Sequence, residues 1–421
     1  MKKKDLRMAH DLDVAILGAG PSGSLAAALL HKRGLKVAVF ERETFPRFSI
    51  GESLLPQTME ILEEAGLLRP VVEAGFQHKN GAAFRRGERS SVFDFRDKSS
   101  KGWSTTFQVV RADFDKVLID AVAAQGVPVH YRHEVTAVAM DGTGGRLTIR
   151  HPGGDLEIKA RFVLDATGFG RLLPRLLKLE TPSEFPVRMA LFTHIRDGIP
   201  HGGMDREKIL VSVHPDDKAI WYWLIPFSNG RCSIGVVAEP RLLEHVRQKN
   251  PGADDTALLK AIVAETPALN DMLSNAVWDT PARSLKGYAA NVASLHGPSF
   301  ALLGNAGEFL DPVFSSGVTI AMRSASLVAP LVERHLSGAA VDWAGEYDIP
   351  LRRGVDAFRA FVDSWYRGGF QDVIFFPGQQ PEVKAMICSI LAGYAWDRSN
   401  PYVADPSRLK VLEELCAAPG S

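Results

Sequence analysis

The chain has 421 residues, of which 46% are hydrophobic and 23% charged, so it is long enough for two joined globular domains. Its 49 lysine and arginine residues balance 49 aspartate and glutamate residues, which leaves no overall field that would favour nucleic acid or anionic lipid. No run of about 18 apolar residues predicts a membrane span, and three scattered cysteines without metal-type spacing predict a reducing, cytoplasmic location and no metal site.

The first predicted elements form a βαβ unit. An apolar strand over residues 14–17 runs into a glycine-rich turn and an Ala- and Leu-rich helix, and a second apolar strand over residues 36–40 ends on Glu41. Two such strands separated by one helix are typical of a parallel sheet that binds a dinucleotide. The sequence therefore predicts a dinucleotide site at the start of the chain.

Each polar or glycine position of this motif has a mechanical role in such a site. Gly18 permits the tight turn, Gly20 lets the backbone approach a pyrophosphate, and Gly23 lets the helix pack close to the strand. The phosphates would rest on the helix N-terminus beside Ser22. Glu41 ends the second strand, where its carboxylate can accept hydrogen bonds from both ribose hydroxyls.

The rest of the chain alternates between strand-like and helical patterns. Apolar residues at helical spacing predict helices, and short alternating stretches predict antiparallel strands. In chain order we expect a helix over 54–75, strands within 81–110, a helix over 111–124, strands at 128–139, 145–150 and 162–168, a strand-rich block over 184–240, helices near 240–250 and 255–274, a strand, glycine-rich turn and long helix over 300–332, and a helical remainder over 341–421.

A second glycine-rich turn lies late in the chain, where residues 304–307 (GNAG) are followed by 311–312 (DP) and 315–318 (SSGV). This pattern resembles the second flavin fingerprint of the FAD-dependent monooxygenase and halogenase superfamily. A glycine turn that leads into a helix presents backbone N–H groups, which can stabilise the electron-rich end of a reduced flavin. Asn305 stands where that superfamily usually has aspartate, so the hydrogen-bonding side chain is kept and the charge is lost. The resemblance implies FAD as the cofactor, with Asn305 among its contacts.

Two further segments extend this resemblance. Residues 45–56 (FPRFSIGESLLP) are similar to the loop that follows the ribose-binding acid in flavin-dependent halogenases, and residues 162–168 (FVLDATG) fit a strand that ends near the cofactor. Arginines are as often solvated as they are ligands, so arginine contacts to the phosphate or adenosine rest on the resemblance alone. The cofactor contacts that the resemblance implies here are Arg42, Ile50, Glu52 and Arg111.

Residues 221–226 (WYWLIP) match W-x-W-x-I-P, which resembles the signature of flavin-dependent halogenases. In that family the two tryptophans lie near the tunnel between flavin and substrate, so the resemblance places Trp221 and Trp223 in this tunnel. The alternative is an ordinary amphipathic strand, because a period of two puts both rings on one face of any strand.

Lys79, within residues 76–82 (FQHKNGA), matches the position of the halogenase active-site lysine by its distance from the glycine motif and its K-x-G-A context. The resemblance implies that this side chain is catalytic and guides hypohalous acid to the substrate, by a hydrogen bond or as a haloamine. The alternative is a solvated surface lysine, which is the more frequent role of this residue type.

The flavin edge carries two more implications of the resemblance. Chloride or bromide would lie against the backbone N–H groups of Ser316, Gly317 and Val318, and the last two residues would also contact FAD. Phe314, in the substrate tunnel, stands where tryptophan halogenases carry a glutamate, so free tryptophan is not the expected substrate.

The resemblance covers about residues 11–335 and implies an α/β fold. We expect a Rossmann-like FAD-binding fold of the p-hydroxybenzoate hydroxylase type, with an inserted antiparallel β-sheet substrate domain and a helical C-terminus. The expected division is a discontinuous FAD-binding domain (11–75, 105–180 and 285–335), a substrate domain (76–104 and 181–284) and a helical C-terminal region (336–421).

The implied activity is that of an FAD-dependent oxidoreductase that halogenates a small phenolic or pyrrolic substrate, free or held on an acyl carrier protein. Because the sequence contains one convincing dinucleotide site, FAD would be used as FADH2 supplied by a separate flavin reductase. Two alternatives remain open. One is a hydroxylase or a dehydrogenase of the geranylgeranyl reductase type that does not halogenate, and the other is a non-enzymatic flavin-binding partner subunit with an inert Lys79.

Overall fold

The computed structural model of the protein describes residues 12–183 and 185–417. Residues 1–11, residue 184 and residues 418–421 lie outside the described residues, and with them lie the predicted start of the FAD-binding domain at residue 11 and the last residues of the predicted C-terminal region. Among the residues that are described, no helix has both the length and the apolar character needed to cross a membrane.

The strands occur in two main sheets and two short pairs. Within the described residues they are, in chain order, β1 (Leu12–Leu17), β2 (Val37–Glu41), β3 (Gln77–Lys79), β4 (Gly81–Arg86), β5 (Arg89–Asp94), β6 (Thr106–Gln108), β7 (Val129–Tyr131), β8 (Glu134–Met140), β9 (Gly145–His151), β10 (Gly154–Asp165), β11 (Glu180–Thr181), β12 (Met189–Arg196), β13 (Lys208–Val213), β14 (Trp221–Pro226), β15 (Arg231–Ala238), β16 (Arg283–Lys286), β17 (Asn291–Val292), β18 (His296–Gly297) and β19 (Phe300–Leu302).

Helices pack against both main sheets. In the described part of the chain the α-helices are α1 (Pro21–Lys32), α2 (Gln57–Ala65), α3 (Leu68–Glu73), α4 (Arg111–Ala124), α5 (Leu172–Leu176), α6 (Pro240–Lys249), α7 (Asp255–Ala264), α8 (Pro267–Met272), α9 (Ser316–Leu336), α10 (Ile349–Arg367), α11 (Gly369–Phe375), α12 (Pro381–Leu391), α13 (Pro401–Ala404) and α14 (Arg408–Ala417).

The first sheet is the predicted Rossmann-like unit. Its parallel core has the order β19-β10-β1-β2-β7, and β8, β9 and β18 extend it with antiparallel pairs. Residues 14–17 of β1 are almost wholly buried because α1 and other helices cover the sheet, as the continuous apolar run predicts. The carboxyl ends of β1 and β2 therefore meet the glycine turn at one edge, where parallel α/β sheets bind ligands.

The second sheet has the order β16-β12-β15-β14-β13-β4-β5. All its pairs are antiparallel except β4 with β13, which run parallel. These two strands lie more than 120 residues apart in sequence (Lys208 opposite Gly81), so a long connection through the first sheet makes a parallel pair possible. The predicted inserted sheet is thus present, and its antiparallel character is broken at this one pair.

Two other elements differ from the sequence prediction or complete it. The expected helix over 54–75 is two helices, because Gly66 adopts a left-handed φ of 72° and ends α2 before α3 begins. The helical C-terminus is present as α10 to α14. Trp365 of α10 and Phe370 of α11 pack against Phe314, so these helices belong to the core beside the late glycine turn.

Candidate active site

A cavity of about 480 Å³ is lined by residues from both main sheets. One end is formed by the glycine turn and the ends of β1 and β2, and the other by the inner face of β12 to β14. The residues of the predicted site that line it are Gly18, Gly20, Ser22, Glu41, Arg42, Ile50, Glu52, Arg111, Trp221, Trp223, Asn305, Gly317 and Val318.

The three glycines of the motif serve different purposes. Gly18 has a φ of 95°, and a Cβ there would lie 2.6 Å from the carbonyl oxygen of Ala166. A Cβ on Gly23 would lie 2.0 Å from the Gly18 carbonyl oxygen, so this glycine allows the close packing of helix and strand, outside the cavity lining. A Cβ on Gly20 would contact only Arg47, at 3.5 Å, and would otherwise enter the cavity. The space at Gly20 therefore fits the pyrophosphate of a dinucleotide.

Glu41 is 5% exposed and is held in place by backbone N–H groups. Its Oε2 accepts a hydrogen bond from the Ala19 N–H at 2.9 Å, and its Oε1 accepts one from the Glu43 N–H at 3.0 Å. A carboxylate has about four lone-pair sites, so it can still accept from a ribose hydroxyl in the cavity.

The arginines around the cavity differ in burial and in the partners that they already have. Arg111 is buried and already donates to both carboxylate oxygens of Asp115, at 2.7 and 2.9 Å, and to the Ile50 carbonyl. Its main effect is to hold the loop that contains Ile50. The Arg42 side chain is 60% exposed and lies 3.4 Å from Glu43.

Arg47 was not singled out by the sequence, although its loop was. Its guanidinium donates to Asp115 at 3.2 Å and is the group nearest to the open side of Gly20. It therefore faces the pyrophosphate space more directly than Arg42 or Arg111. The motif pattern does not distinguish it, since only the path of the loop turns this side chain inward.

The late glycine turn also contributes residues to the lining of the cavity. Ser315 adopts a left-handed φ of 57°, and α9, of 21 residues, starts at Ser316. Gly317 and Val318 line the cavity, whereas the Ser316 side chain is buried outside the lining. The first N–H groups of a helix have no intrahelical acceptor and lie at its positive end, so this terminus can hold an anion or the electron-rich part of a flavin.

Trp221 and Trp223 lie on the same face of β14 and line the cavity, with ring centroids 5.9 Å apart. Their indole N–H groups are satisfied: Trp221 donates to the Tyr366 hydroxyl and Trp223 to the Ser233 hydroxyl, each at 3.0 Å. The two rings therefore form a fixed aromatic part of the cavity wall.

Lys79 is completely buried at the end of β3. Its Nζ donates to the Ser53 hydroxyl at 2.7 Å and to the Leu54 carbonyl at 2.8 Å, and it lies 5.2 Å from the Phe95 ring centroid. Burial lowers the pKa of Lys79 to about 7. Ser53 lines the cavity and Lys79 does not, so the amine lies directly behind the cavity wall.

Phe314 is 4% exposed and also lies outside the lining of the cavity. Its ring packs edge-to-face against Trp365 at 5.9 Å and Phe370 at 5.5 Å between centroids. Phe314, which the resemblance placed in the substrate tunnel, therefore lies in an apolar cluster with residues of the C-terminal helices.

Two polar groups beside the cavity were not predicted as site residues from the sequence, although Asp311 belongs to the late glycine-rich motif. His194 Nε2 lies 2.6 Å from Glu52 Oε1, which joins β12 to the predicted cofactor loop. Burial raises the pKa of Asp311 to about 6. The hydrogen bonds from the Tyr366 and Tyr288 hydroxyls lower this pKa, but their effect is smaller than that of burial. Both contacts join segments more than 20 residues apart, so no local sequence pattern reports them.

Comparison with known proteins identifies the family. The model of the FAD binding domain family matches residues 11–344. The 1H-pyrrole-2-carbonyl-(peptidyl-carrier protein) chlorinase of Pseudomonas fluorescens is 28% identical over 426 residues, which cover 95% of this chain and 93% of that protein. The tryptophan 2-halogenase of Chondromyces crocatus is 27% identical over 358 residues, covering 82% of this chain but 66% of that protein.

Solved structures share the fold over nearly the whole chain. A flavoprotein/dehydrogenase from Cytophaga hutchinsonii superimposes with a TM-score of 0.92 at 42% identity, covering 97% of this chain and 99% of that one. The flavin-dependent brominase Bmp2 superimposes with a TM-score of 0.80 at 26% identity, covering 96% and 99%. The predicted fold and FAD cofactor are confirmed: the chain belongs to the FAD binding domain family and is an FAD-dependent oxidoreductase that is similar to flavin-dependent halogenases.

Proposed function

We propose that this protein halogenates a phenolic or pyrrolic substrate, with Lys79 as the catalytic residue. The observation that carries the proposal is the environment of Lys79. Its amine is buried without an ion-pair partner among the described residues, and its pKa is lowered to about 7. The amine donates to Ser53 in the wall of the cavity of about 480 Å³, which we call the flavin cavity. An amine in this state is partly neutral at neutral pH and is therefore nucleophilic.

The chemistry that bound reduced FAD supplies is the activation of oxygen, which oxidises chloride or bromide to hypohalous acid. The neutral Lys79 amine would attack the halogen, forming an N–halogen bond and releasing water. The aromatic carbon would then take the halogen, and its proton would leave as the N–H bond of Lys79 is restored. Burial behind Ser53 would keep hypohalous acid from escaping to solvent.

The halide is proposed to bind at the start of α9. The N–H groups of Ser316, Gly317 and Val318 belong to the first turn of a long helix, where the positive end of the dipole favours an anion. Gly317 and Val318 line the cavity, which supports direct access from a halide to the flavin edge.

A carrier-bound substrate is supported by the lengths of the relatives. The pyrrole-carrier-protein chlorinase matches over 93% of its own length, and the carrier-protein brominase of Pseudoalteromonas luteoviolacea over 92%. The tryptophan 2-halogenase has about a third of its length outside the match. We therefore propose a pyrrole- or phenol-type acyl group on an acyl carrier protein, and a separate cytoplasmic flavin reductase as the source of FADH2.

A second candidate function is a flavin-dependent hydroxylation or dehydrogenation without halogen. It is favoured by the 42% identical structure described as a flavoprotein/dehydrogenase, and by the position of Lys79 behind the cavity wall. In this case the substrate would occupy the flavin cavity against Trp221 and Trp223, and Lys79 would be a buried structural amine.

The deciding experiment supplies FAD, a flavin reductase, NADH, oxygen and bromide, with phenols, pyrroles and a carrier-bound pyrrole as substrates. We expect brominated product from the wild type and a loss of about 100-fold or more in Lys79→Ala, with FAD content and flavin reoxidation unchanged. Lys79→Arg should rescue poorly, because the guanidinium stays protonated. Lys159→Ala, at an exposed lysine of β10, is the matched control. Oxygenated or reduced product without bromine from the wild type would favour the second candidate, and equal yields from Lys79→Ala would remove Lys79 from the mechanism.

A further inference from the structure

A second cavity, of about 320 Å³, lies beside the flavin cavity. Tyr288 lines both cavities, and Asp311 of the second directly precedes Pro312 and Val313 of the first. The volume lies at the lower end of the range of small-molecule pockets, about 300–1,000 Å³. None of the residues that the sequence predicted for the FAD, halide or tunnel sites lines this second cavity.

Arg188 is the cation of this cavity, and it is 7% exposed. Its Nε and NH1 groups have no hydrogen-bond partner within the described residues. Among the described residues, Arg188 forms an ion pair with Glu239, whose Oε1 lies 3.7 Å from NH1, a distance longer than a hydrogen bond. Leaving buried donors without acceptors is unfavourable, and these two donors of Arg188 find none in the part of the chain that the structure describes.

Asp311 does not supply that acceptor. Its carboxylate accepts hydrogen bonds from the Tyr366 hydroxyl at 2.8 Å, the Tyr288 hydroxyl at 3.1 Å and the Val313 N–H at 3.0 Å. Asp311 therefore has its own donors, and both tyrosine hydroxyls are occupied by it. The tyrosines present their rings to the cavity, and the Arg188 guanidinium lies 4.1 Å from the centroid of the Tyr366 ring.

Much of the remaining lining is apolar. It includes the rings of Pro182, Pro186 and Phe185 and the side chain of Leu310. Aromatic walls favour a planar ring, and a guanidinium with two unsatisfied donors favours a planar oxyanion that can accept two hydrogen bonds. We propose that this second cavity is a binding site for a small aromatic carboxylate, with Arg188 as its anchor and Tyr288 and Tyr366 as its walls.

Equilibrium dialysis of FAD-loaded protein with radiolabelled benzoate tests this assignment. We expect saturable binding of one benzoate per chain, displaced by unlabelled benzoate but not by benzamide, which has the same shape without the charge. Inorganic phosphate at the same concentration should not displace it, because phosphate has no ring to pack against the tyrosines. Dialysis involves no halogenation step, so its result is separate from that of the proposed function.

Three variants locate the site. Arg188→Met should weaken benzoate binding by about tenfold or more, the loss expected for a charge-assisted hydrogen bond. Ala289→Leu keeps every charge and fills part of the cavity, so it should weaken binding as well, and it remains informative if Arg188→Met does not fold. Arg283→Met is the control, since Arg283 stacks on Phe48 at 4.0 Å and lines only the flavin cavity.

Binding that is weakened by the first two variants and not by the control supports the assignment. Absence of saturable benzoate binding to the wild type would overturn it, as would binding that Arg283→Met abolishes and Arg188→Met leaves intact. Equal displacement by benzamide or by phosphate would also overturn it, because the ligand class would then not be an aromatic carboxylate.

Discussion

The flavin cavity and the surroundings of Lys79 are adjacent, yet they are built in different ways. The flavin cavity is open space bounded by backbone turns, with a glycine cradle at Gly20 and a carboxylate at Glu41 that backbone N–H groups hold ready. Lys79 lies in a closed, largely apolar environment behind Ser53. A cofactor site can thus be made by local turns, whereas the reactivity of one amine depends on packing.

We expect substitutions of Gly20 to weaken or abolish FAD binding without unfolding the protein. Gly20→Val should remove FAD binding, because its side chain would fill the space left for the pyrophosphate. Gly20→Ala should bind more weakly but measurably, since its Cβ meets only Arg47, at an ordinary contact distance. Flavin fluorescence titration measures both affinities, and circular dichroism checks the fold. An unchanged affinity in a folded Gly20→Val protein would contradict the cradle.

Changes to the aromatic packing around Trp365 should act on stability instead. Trp365 is fully buried against Phe84, Trp221 and Phe314, so Trp365→Ala should lower the free energy of unfolding by about 3–5 kcal/mol. Ile349→Ala, at an exposed position of the same helix, should change it by no more than about 0.5 kcal/mol. Urea unfolding of both variants measures the difference, and similar values would mean that α10 does not close this region.

The charge state of Lys79 should make stability depend on pH. Its pKa is about 7 in the folded protein against 10.5 for an unperturbed lysine. Between these values the unfolded chain binds more protons, so this amine's contribution to stability rises with pH through this window and is lost as pH falls through 7. Lys79→Met should therefore be more stable than the wild type by about 1–3 kcal/mol at pH 6, and the difference should shrink at pH 9.

Lys159→Met, at an exposed lysine, is the control for this measurement and should show no such pH dependence. If the stability difference between Lys79→Met and the wild type were the same at pH 6 and pH 9, the amine would not be buried in its charged form. The Lys79 amine would then be hydrated and would not lie in a closed environment.

The smallest expected effect separates the arginines at the cavity. Arg47→Met should weaken FAD binding by about tenfold, because its guanidinium is the group nearest the open side of Gly20. Arg42→Met should change the affinity by less than about threefold, because this side chain is largely exposed and its charge is screened by solvent. Titration at two salt concentrations measures both, and a larger loss for Arg42→Met would reverse the assignment.

Several features could be predicted from contiguous sequence. The strand, glycine turn and helix at the start of the chain appear where the pattern places them, and α4 spans the predicted residues 111–124. Trp221 and Trp223 share one face because any strand has a period of two. These features depend on neighbours in the chain, through steric limits on the backbone and local hydrogen bonds, so the sequence contains the information in readable form.

Other features depend on residues that are distant in sequence. Three examples are the parallel pairing of β4 with β13, the inward turn of Arg47 and the contact of His194 with Glu52. The two unsatisfied donors of Arg188 also result from how separate segments pack around this side chain. The sequence pointed to Lys79 as a catalytic candidate. Its burial, and hence its lowered pKa, follows from segments that meet only in the folded chain. Local rules set which elements form, whereas burial and charge environment are properties of the whole packing and were decided by the tertiary structure alone.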